Sequence, residues 1–432
     1  MSPRIALIGA GSAMFGLGAI GDVLKSKVLA GSTLVLNDIN HDSLESVRKV
    51  AQNHIEKNNL PFTIEAYTSL DKTLKGADFV VISIEVGNRH ELWEQDWKIP
   101  MQYGIKQVYG ENGGPGGLFH ALRIIPPILD ICERIMQICP KALVFNLSNP
   151  MVRIMHAIHT RFPEMKVVGI CHEVYSLLEH LPQVLNTPLD NLDIKAGGFN
   201  HFSVLVEAKY KDTGKDAYPD IREKAPAYFE KAPAVFGYIG ERRLFQHILK
   251  KFDHLPITTD SHFGEYIPWA ASAVDHRGIM EFYNSYKSDT TGNLAEAERR
   301  VAEGTPASEY WRVVPIIEGI VNNTGHFEMA VNIANDGFIE SLPRNQMVEV
   351  PATIDKDGIH GYKFKSYPKA FAGLLRLQMP VNEMTTEAVL SKSKKAALQA
   401  LLLDPVVDNV DKAEELLDTM LSLQHKWLDY LK

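Results

Sequence analysis

The chain of 432 residues is longer than one hydrophobic core usually organises, so we expect two lobes or one large domain with additions. Hydrophobic residues at 45% and charged residues at 23% are typical of a globular protein, and a formal net charge of -8 argues against nucleic acid as a partner. Three cysteines are too few for a disulfide framework, and no apolar run approaches the roughly 20 residues of a membrane span, so we expect a cytoplasmic protein with no membrane partner.

Short apolar strands alternate with helices through the first part of the chain. The predicted strands are 4–8, 33–38, 62–67, 78–84, 142–147 and 166–170, and the predicted helices are 12–29, 41–59, 91–103, 118–138 and 151–162. Alternation of this kind implies right-handed crossovers between neighbouring strands. It therefore predicts an α/β fold with a Rossmann-like, doubly wound parallel sheet that binds its ligands at the carboxyl ends of the strands.

The alternation stops after Cys171, where the chain changes character. The predicted antiparallel strands are 192–196 and 202–210, and the predicted helical segments are 294–303 and 385–431. We therefore predict a Rossmann-like domain over residues 1–170 and a second α+β lobe over 171–432 that carries catalytic, substrate-binding and subunit-contact groups.

The turn after the first strand has the features of a dinucleotide-binding turn. Gly9 suits the tight turn, and Gly11 lets the backbone approach a pyrophosphate at a helix N-terminus, with Ser12 beside it. The third glycine position of the fingerprint is Met14. Asp38 closes the second strand, where a carboxylate accepts from the adenosine ribose and disfavours NADP, although capping the next helix is an alternative role. Domain 1–170 is therefore predicted to bind NAD.

Two later segments carry polar groups next to predicted strands. The glycine-rich segment 111–117 offers backbone amides at the start of a helix, which suits an anionic or hydroxyl-rich ligand, and a flexible loop is the alternative. Asn149 follows a strand and precedes Pro150, so its amide faces the ligand crevice and suits a sugar hydroxyl or the nicotinamide ribose. A simple Asn-Pro turn is the alternative there.

A possible metal site and a possible general base lie further along the chain. Cys171 and His201 each follow a predicted strand, and a thiolate with an imidazole suits a divalent transition metal. A buried inert thiol and a core histidine are the alternatives. In the polar segment 259–266, Asp260 or Tyr266 is a candidate base, and a solvated polar loop is the alternative.

Taken together, these segments resemble glycoside hydrolase family 4, the NAD- and manganese-dependent glycosidases related in fold to lactate and malate dehydrogenases. The motifs that carry the resemblance, in the family's order, are 9–12, 113–117, 148–150, 171–174 and 200–201. The resemblance implies that Cys171 and His201 hold Mn²⁺ or another divalent metal, and that Asn149 touches the sugar. It also implies His172 as the acid and either Tyr266 or Asp260 as the base.

The resemblance also points to a branch of the family. The motif Cys171-His172-Glu173-Val174 looks like the version found in α-galacturonidases, and Trp93 falls where the phospho-glycosidases carry an arginine. An unphosphorylated α-galacturonide is therefore the expected substrate. Its carboxylate needs a cation, and the candidate residues are Arg123, which we favour, Arg89 and Arg277.

The implied reaction recycles its NAD. The cofactor takes hydride from C3 of the sugar, a base then removes the acidified C2 proton, the aglycone is eliminated, water adds and the hydride returns. The alternatives are an α-galactosidase or α-glucosidase of the same family, a 2-hydroxy-acid dehydrogenase that accumulates NADH, or a non-catalytic dinucleotide sensor. A homodimer or homotetramer is usual in the family.

Overall fold

The structure is a computed structural model and describes residues 2–11, 15–231, 242–290, 299 and 312–432. The strands are β1 (Arg4–Ile8), β2 (Thr33–Asn37), β3 (Thr63–Tyr67), β4 (Phe79–Ile82), β5 (Leu143–Asn146), β6 (Val167–Gly169), β7 (Leu192–Phe199), β8 (Phe202–Tyr210), β9 (His326–Ala334), β10 (Met347–Asp355) and β11 (Gly358–Gly361).

The helices of the same ranges are α1 (Phe15–Lys25), α2 (His41–Asn58), α3 (Leu70–Leu74), α4 (Arg89–Gln102), α5 (Gly114–Ile138), α6 (Met151–Arg161), α7 (Ser176–Leu185), α8 (Tyr218–Phe229), α9 (Arg243–Phe252), α10 (Asp260–Gly264), α11 (His276–Thr290), α12 (Val313–Asn322), α13 (Lys369–Leu390), α14 (Lys394–Leu403), α15 (Val410–Leu423) and α16 (His425–Leu428). Single turns of 3₁₀ helix lie at Glu173–Tyr175, Leu189–Asn191 and Ala270–Ser272. Within these ranges, no helix combines the length and apolar character that crossing a membrane requires.

The six strands of the first half form a parallel sheet in the order β3-β2-β1-β4-β5-β6. Each central strand is a short, almost fully buried apolar run, as expected for a sheet covered by helices on both faces. Ile8 pairs with Ile82, and Ile82 pairs with Asn146, so the loops after β1, β4 and β5 leave the same edge side by side. The predicted doubly wound sheet is therefore confirmed.

The second half of the chain extends this sheet with antiparallel strands. Gly169 of β6 pairs with Asn332 of β9, and the order continues through β10, β7 and β8, with β11 beside β10. The sequence predicted β7 and β8 but not the three strands between 326 and 361. The reason is that β10 contains a buried Glu349 and a proline, Pro351, at a bulge, which interrupts the apolar pattern of a strand.

The predicted helical segments have mixed outcomes. Residues 385–431 are helical as expected, but they divide into the end of α13 and the helices α14, α15 and α16. The predicted helix 294–303 lies outside the described residues except for residue 299. The start of the predicted helix 12–29 is likewise outside them, and its described part ends at Lys25.

Candidate active site

The turn after β1 has little room for side chains at its glycines. Gly9 has a φ of +87°, and a Cβ there would lie 2.0 Å from the carbonyl oxygen of Ser83. A Cβ on Gly11 would lie 2.7 Å from the carboxylate of Asp38, which accepts the Gly11 amide at 2.8 Å. Gly9 therefore requires glycine, whereas a side chain at Gly11 would push the Asp38 carboxylate away from the turn. Ser12, the other predicted residue of this turn, lies outside the described residues.

The third glycine of the turn is Gly16, which the sequence analysis missed. A Cβ on Gly16 would lie 2.0 Å from the carbonyl oxygen of Ala10, so this glycine lets α1 start directly against the turn. The position expected from the fingerprint, Met14, lies outside the described residues. The sequence does contain an indication of this role. A glycine lies two residues after Met14, where the helix packs closely against the turn.

The geometry around Asp38 separates its two possible roles. Asn40, not Asp38, caps α2, because the Asn40 side chain accepts the amide of Ser43 at 3.1 Å. Asp38 instead accepts the amides of Gly11 and Asn40 and sits at the end of β2, beside the glycine turn. Its neighbour Ile39 is 96% exposed, which leaves an apolar side chain in solvent next to this carboxylate. The surroundings therefore favour a ligand-binding role for Asp38.

Cys171 and His201 come together beside the carboxyl end of β6. His201 is the second residue of a two-residue turn between β7 and β8, where its backbone has a φ of +60°. The Cys171 Sγ lies 3.3 Å from the His201 Nε2, and both side chains are buried. Sulfur and nitrogen ligands that share one ion at about 2.3 Å and 2.1 Å are separated by a similar distance. The pair therefore fits a divalent metal.

The electrostatics act differently on the two members of this pair, since they keep the imidazole neutral but favour the thiol over the thiolate that a metal would bind. Burial, followed by the charges of Glu173 and Glu349, raises the pKa of the Cys171 thiol. Burial, together with the ring of His262, lowers the pKa of His201 to about 4, which keeps the imidazole neutral and able to ligate. Among the described residues, no third histidine, cysteine or carboxylate completes a metal cluster. Two protein ligands would leave the other coordination positions of an ion to water or substrate.

The glycine-rich segment is held by Glu265. The Oε1 of Glu265 accepts the amide of Glu111 at 2.9 Å, and its Oε2 accepts the amides of Asn112 and Gly113 at 2.8 and 2.7 Å. Burial and the charge of Glu111 raise the pKa of Glu265 to about 8, against these three amides, which favour the carboxylate. We expected the amides of this segment to face a ligand. Three of them instead hold a carboxylate of the protein, which the sequence analysis missed.

The two candidate bases lie in different surroundings. Tyr266 stacks on Phe202 with ring centroids 4.8 Å apart, and its hydroxyl lies 3.5 Å from the carbonyl oxygen of Asn200, next to His201. Burial and the charge of Glu265 raise the pKa of Tyr266. The structure therefore brings Tyr266 to the Cys171 and His201 pair.

Asp260 has a structural partner instead. Its carboxylate accepts the amides of Leu244 and Phe245 at 2.9 and 3.3 Å, at the N-terminus of α9. Burial raises the pKa of Asp260 to about 7, although Arg242 and these amides oppose the shift. These contacts favour anchoring of α9 over proton transfer.

His172 directly follows Cys171 in the chain, and Asn149 follows the neighbouring strand β5. The His172 side chain is 44% exposed, with its Nε2 at 3.3 Å from the Glu173 carboxylate. That carboxylate outweighs the opposing effect of burial and raises the pKa of His172. Asn149 follows β5, and its Oδ1 is buried without a hydrogen-bond partner among the described residues. A buried amide oxygen of this kind is able to accept from a ligand hydroxyl.

The three arginines that were candidates for binding a uronate carboxylate lie elsewhere or have partners. Arg123 is buried in an ion pair with Asp96 at 2.5 and 2.9 Å. Arg89 lies between the carboxylates of Glu85 and Glu111. Arg277 is 88% exposed on α11. The structure therefore does not bring these three guanidinium groups together with the Cys171 and His201 pair as free cations.

Comparison with known proteins identifies the family. Residues 4–187 match the family 4 glycosyl hydrolases, and residues 196–407 match the C-terminal domain of the same family. An α-glucosidase of Erwinia rhapontici is 48% identical over 100% of both chains. An α-galacturonidase of Thermoanaerobacterium saccharolyticum is 27% identical, with 98% of this chain and 96% of that one covered.

Solved structures give the same picture of the fold. A 6-phospho-α-glucosidase from gut microorganisms superposes with a TM-score of 0.85 at 20% identity, over 100% of both chains. A malate dehydrogenase of Plasmodium falciparum superposes with a TM-score of 0.52 at 14% identity, over 90% of this chain and 99% of that one. The predicted similarity in fold to malate dehydrogenase is therefore confirmed. The resemblance to glycoside hydrolase family 4, predicted from the motifs, is confirmed as well. The chain belongs to the family 4 glycosyl hydrolases.

Proposed function

We propose that this glycosidase is an NAD- and manganese-dependent α-glucosidase that acts on unphosphorylated substrates. The choice of sugar rests on the surroundings of three arginines. Arg89 and Arg123 lie against carboxylates, and Arg277 is exposed on α11. A neutral hexose needs no such cation. The 48% identity to an α-glucosidase, against 27% to an α-galacturonidase, supports the same choice. This proposal replaces the galacturonide that the motif 171–174 suggested.

The residues that we propose for cofactor binding lie at neighbouring strand ends. The glycine turn at Gly9 and Gly11 would receive the pyrophosphate of NAD, Asp38 the ribose, and the exposed Ile39 the apolar face of adenine. Cys171 and His201 would hold the metal. The similar 6-phospho-α-glucosidase was solved with NAD and Mn²⁺. Bound together, these cofactors would supply hydride transfer at C3 and polarisation of the resulting carbonyl.

The protein's own groups would position the sugar and move its protons. Asn149 would accept from a sugar hydroxyl at its buried Oδ1. Tyr266 would take the C2 proton as a phenolate, a form that the cation held by Cys171 and His201 would favour against the raised pKa of the buried phenol, whose oxygen lies beside the metal-holding turn. His172 would protonate the leaving oxygen, because its raised pKa and partial exposure keep a proton available at the mouth of the site. We also propose that the parallel half binds the dinucleotide and that the enzyme is a homodimer or homotetramer.

One observation favours the galacturonide as a second candidate. Arg242 is 1% exposed, and both of its terminal nitrogens lack a hydrogen-bond partner among the described residues. A buried guanidinium of this kind is able to pair bidentately with a carboxylate. The buried carboxylate of Asp260 is the strongest charge that acts on Arg242, followed by that of Glu173 in the motif 171–174. This arginine therefore replaces Arg123 as the residue to test for uronate binding.

A panel of nitrophenyl α-glycosides tests the proposal. With NAD, Mn²⁺ and a reducing thiol present, we expect the α-glucoside to be hydrolysed with a higher kcat/KM than the α-galactoside or α-galacturonide. Absorbance of NADH should not accumulate, whereas a 2-hydroxy-acid dehydrogenase would produce it stoichiometrically. A preference for the galacturonide that disappears in Arg242→Gln would overturn the glucosidase proposal in favour of the second candidate.

Gly16→Ala is expected to weaken NAD binding strongly, because the new methyl group would lie 2.0 Å from the carbonyl oxygen of Ala10 and displace α1 from the turn. Gly21→Ala in the same helix is the matched control, since a Cβ at Gly21 has no neighbour within 4 Å. That change should stabilise the protein by up to about 1 kcal/mol. Titration of protein fluorescence with NAD measures both, and equal affinities for the two variants would contradict the role given to Gly16.

A further inference from the structure

The side chain of Asn112 contacts the metal-ligand candidate His201 from behind. The Nδ2 of Asn112 lies 3.0 Å from the Nδ1 of His201, while the Nε2 on the other side of the ring faces Cys171 at 3.3 Å. Asn112 and His201 are 3% and 2% exposed, so water does not compete for this contact. The amide of Asn112 is therefore the partner of the ring nitrogen that does not face the thiol.

The backbone of Asn112 is fixed independently of its side chain. The Glu265 carboxylate accepts the Asn112 amide at 2.8 Å, together with the amides of the residues before and after it. Rotation about the side-chain bonds is then the main freedom left to Asn112. A residue that is fixed at its backbone and in contact with a ligand's second nitrogen is suited to orient that ligand.

One polar atom of this contact has no hydrogen-bond partner among the described residues. An amide nitrogen only donates, so the His201 Nδ1 accepts and the ring proton is on Nε2, toward the sulfur. The Oδ1 of Asn112 is buried and has no partner among the described residues. Binding a metal at Nε2 requires the opposite tautomer, with the proton on Nδ1 and an acceptor facing it.

We propose that Asn112 is a positioning residue for His201, and that its amide decides which ring nitrogen carries the proton. With Nδ2 toward the ring, Asn112 also contacts the Glu111 carboxylate at 3.3 Å, and Nε2 is protonated. With the amide turned by half a rotation, Asn112 gives up its contact with Glu111, Oδ1 accepts from Nδ1, and the Nε2 lone pair faces Cys171. Metal loading thus supplies the partner that Oδ1 lacks. This inference rests on the proposed role of His201 as a metal ligand.

Four variants and two readouts test the proposal in the full-length protein. Asn112→Leu removes the acceptor, and the affinity for Mn²⁺, measured by electron paramagnetic resonance of the free ion, should fall about 10- to 100-fold. Gln346→Leu is the control, because Gln346 is also a buried amide that donates to a carboxylate and has an unpaired carbonyl oxygen. Its affinity for Mn²⁺ should equal that of the wild type.

Asn112→Asp offers an oxygen in either orientation and should place the His201 proton on Nδ1 without metal. Nitrogen NMR of ¹⁵N-histidine-labelled, metal-free protein reads this tautomer directly, and the resonance is assigned by its loss in His201→Gln. The expected result is a protonated Nε2 in the wild type and a protonated Nδ1 in Asn112→Asp. The same tautomer in both would overturn the proposal, as would wild-type Mn²⁺ affinity in Asn112→Leu. If His201→Gln itself retains wild-type affinity, the ligand assignment fails instead.

Discussion

Cys171→Ser is expected to lower kcat for glycoside hydrolysis by about 10²- to 10³-fold, because the metal would lose one of its two protein ligands. The Sγ of Cys171 lies 3.3 Å from the Nε2 of His201, in a buried pocket with no third ligand among the described side chains. A serine hydroxyl is a poor ligand for a divalent transition metal at neutral pH. Chelator treatment of the wild type should mimic the substitution, and Mn²⁺ with a reducing thiol should reverse it.

The chain offers a matched control for this substitution. Cys132 is also a free, fully buried thiol, but it lies in the middle of α5. Cys132→Ser should cost similar stability, as judged by the thermal midpoint, while kcat and the requirement for Mn²⁺ stay unchanged. Full hydrolytic activity in a metal-free Cys171→Ser enzyme would falsify the assignment of Cys171 as a ligand.

Tyr266→Phe should reduce kcat by about 10²- to 10⁴-fold, the range that general base catalysis contributes. The stacking on Phe202, at 4.8 Å between ring centroids, survives the change, so only the hydroxyl is lost. With substrate deuterated at C2, the wild type should show a primary isotope effect, because proton abstraction limits the rate. An oxocarbenium mechanism would show none.

Two further variants identify the base. Asp260→Asn keeps one oxygen for the amide of Leu244 and gives up the longer hydrogen bond from Phe245, so we expect a modest loss of stability and little change in kcat. Tyr430→Phe removes a buried hydroxyl that donates to the Leu122 carbonyl in another part of the protein, and its kcat should match the wild type. A large loss of kcat in Asp260→Asn, with an active Tyr266→Phe enzyme, would reverse the two roles.

The sequence was sufficient to predict the parallel half of the sheet, because its central strands are short apolar runs that are followed by turns. It also placed Asp38 at a strand end and put Cys171 and His201 after strands, as the structure shows. All of these predictions rest on local patterns. Positions in a turn or at a strand end are readable from a few neighbouring residues.

Contacts between distant parts of the chain could not be predicted in this way. Glu265 binds the amide of Glu111 across 154 residues, and nothing near either residue indicates the pairing. Glu349 is similar: its carboxylate accepts from Asn200 at 2.7 Å across 149 residues and interrupts the apolar pattern of β10. A buried carboxylate is visible in the sequence only as an exception to the strand pattern, and its partner is set by the fold.

The carboxylate that holds the glycine-rich segment couples two distant parts of the chain. A Cβ at Gly113 would lie 2.8 Å from the Cβ of Glu265, and removal of Glu265 would leave three buried amides unpaired. A side chain at residue 113 would therefore displace Glu265, and loss of the Glu265 carboxylate would release the backbone of residues 111–113. Glu265 directly precedes Tyr266, so a displacement of Glu265 would also move the residue that we propose as the base. The loop at Asn112 and the segment at Tyr266 are thus held together as one unit, although the paired residues Glu111 and Glu265 are 154 positions apart in the chain.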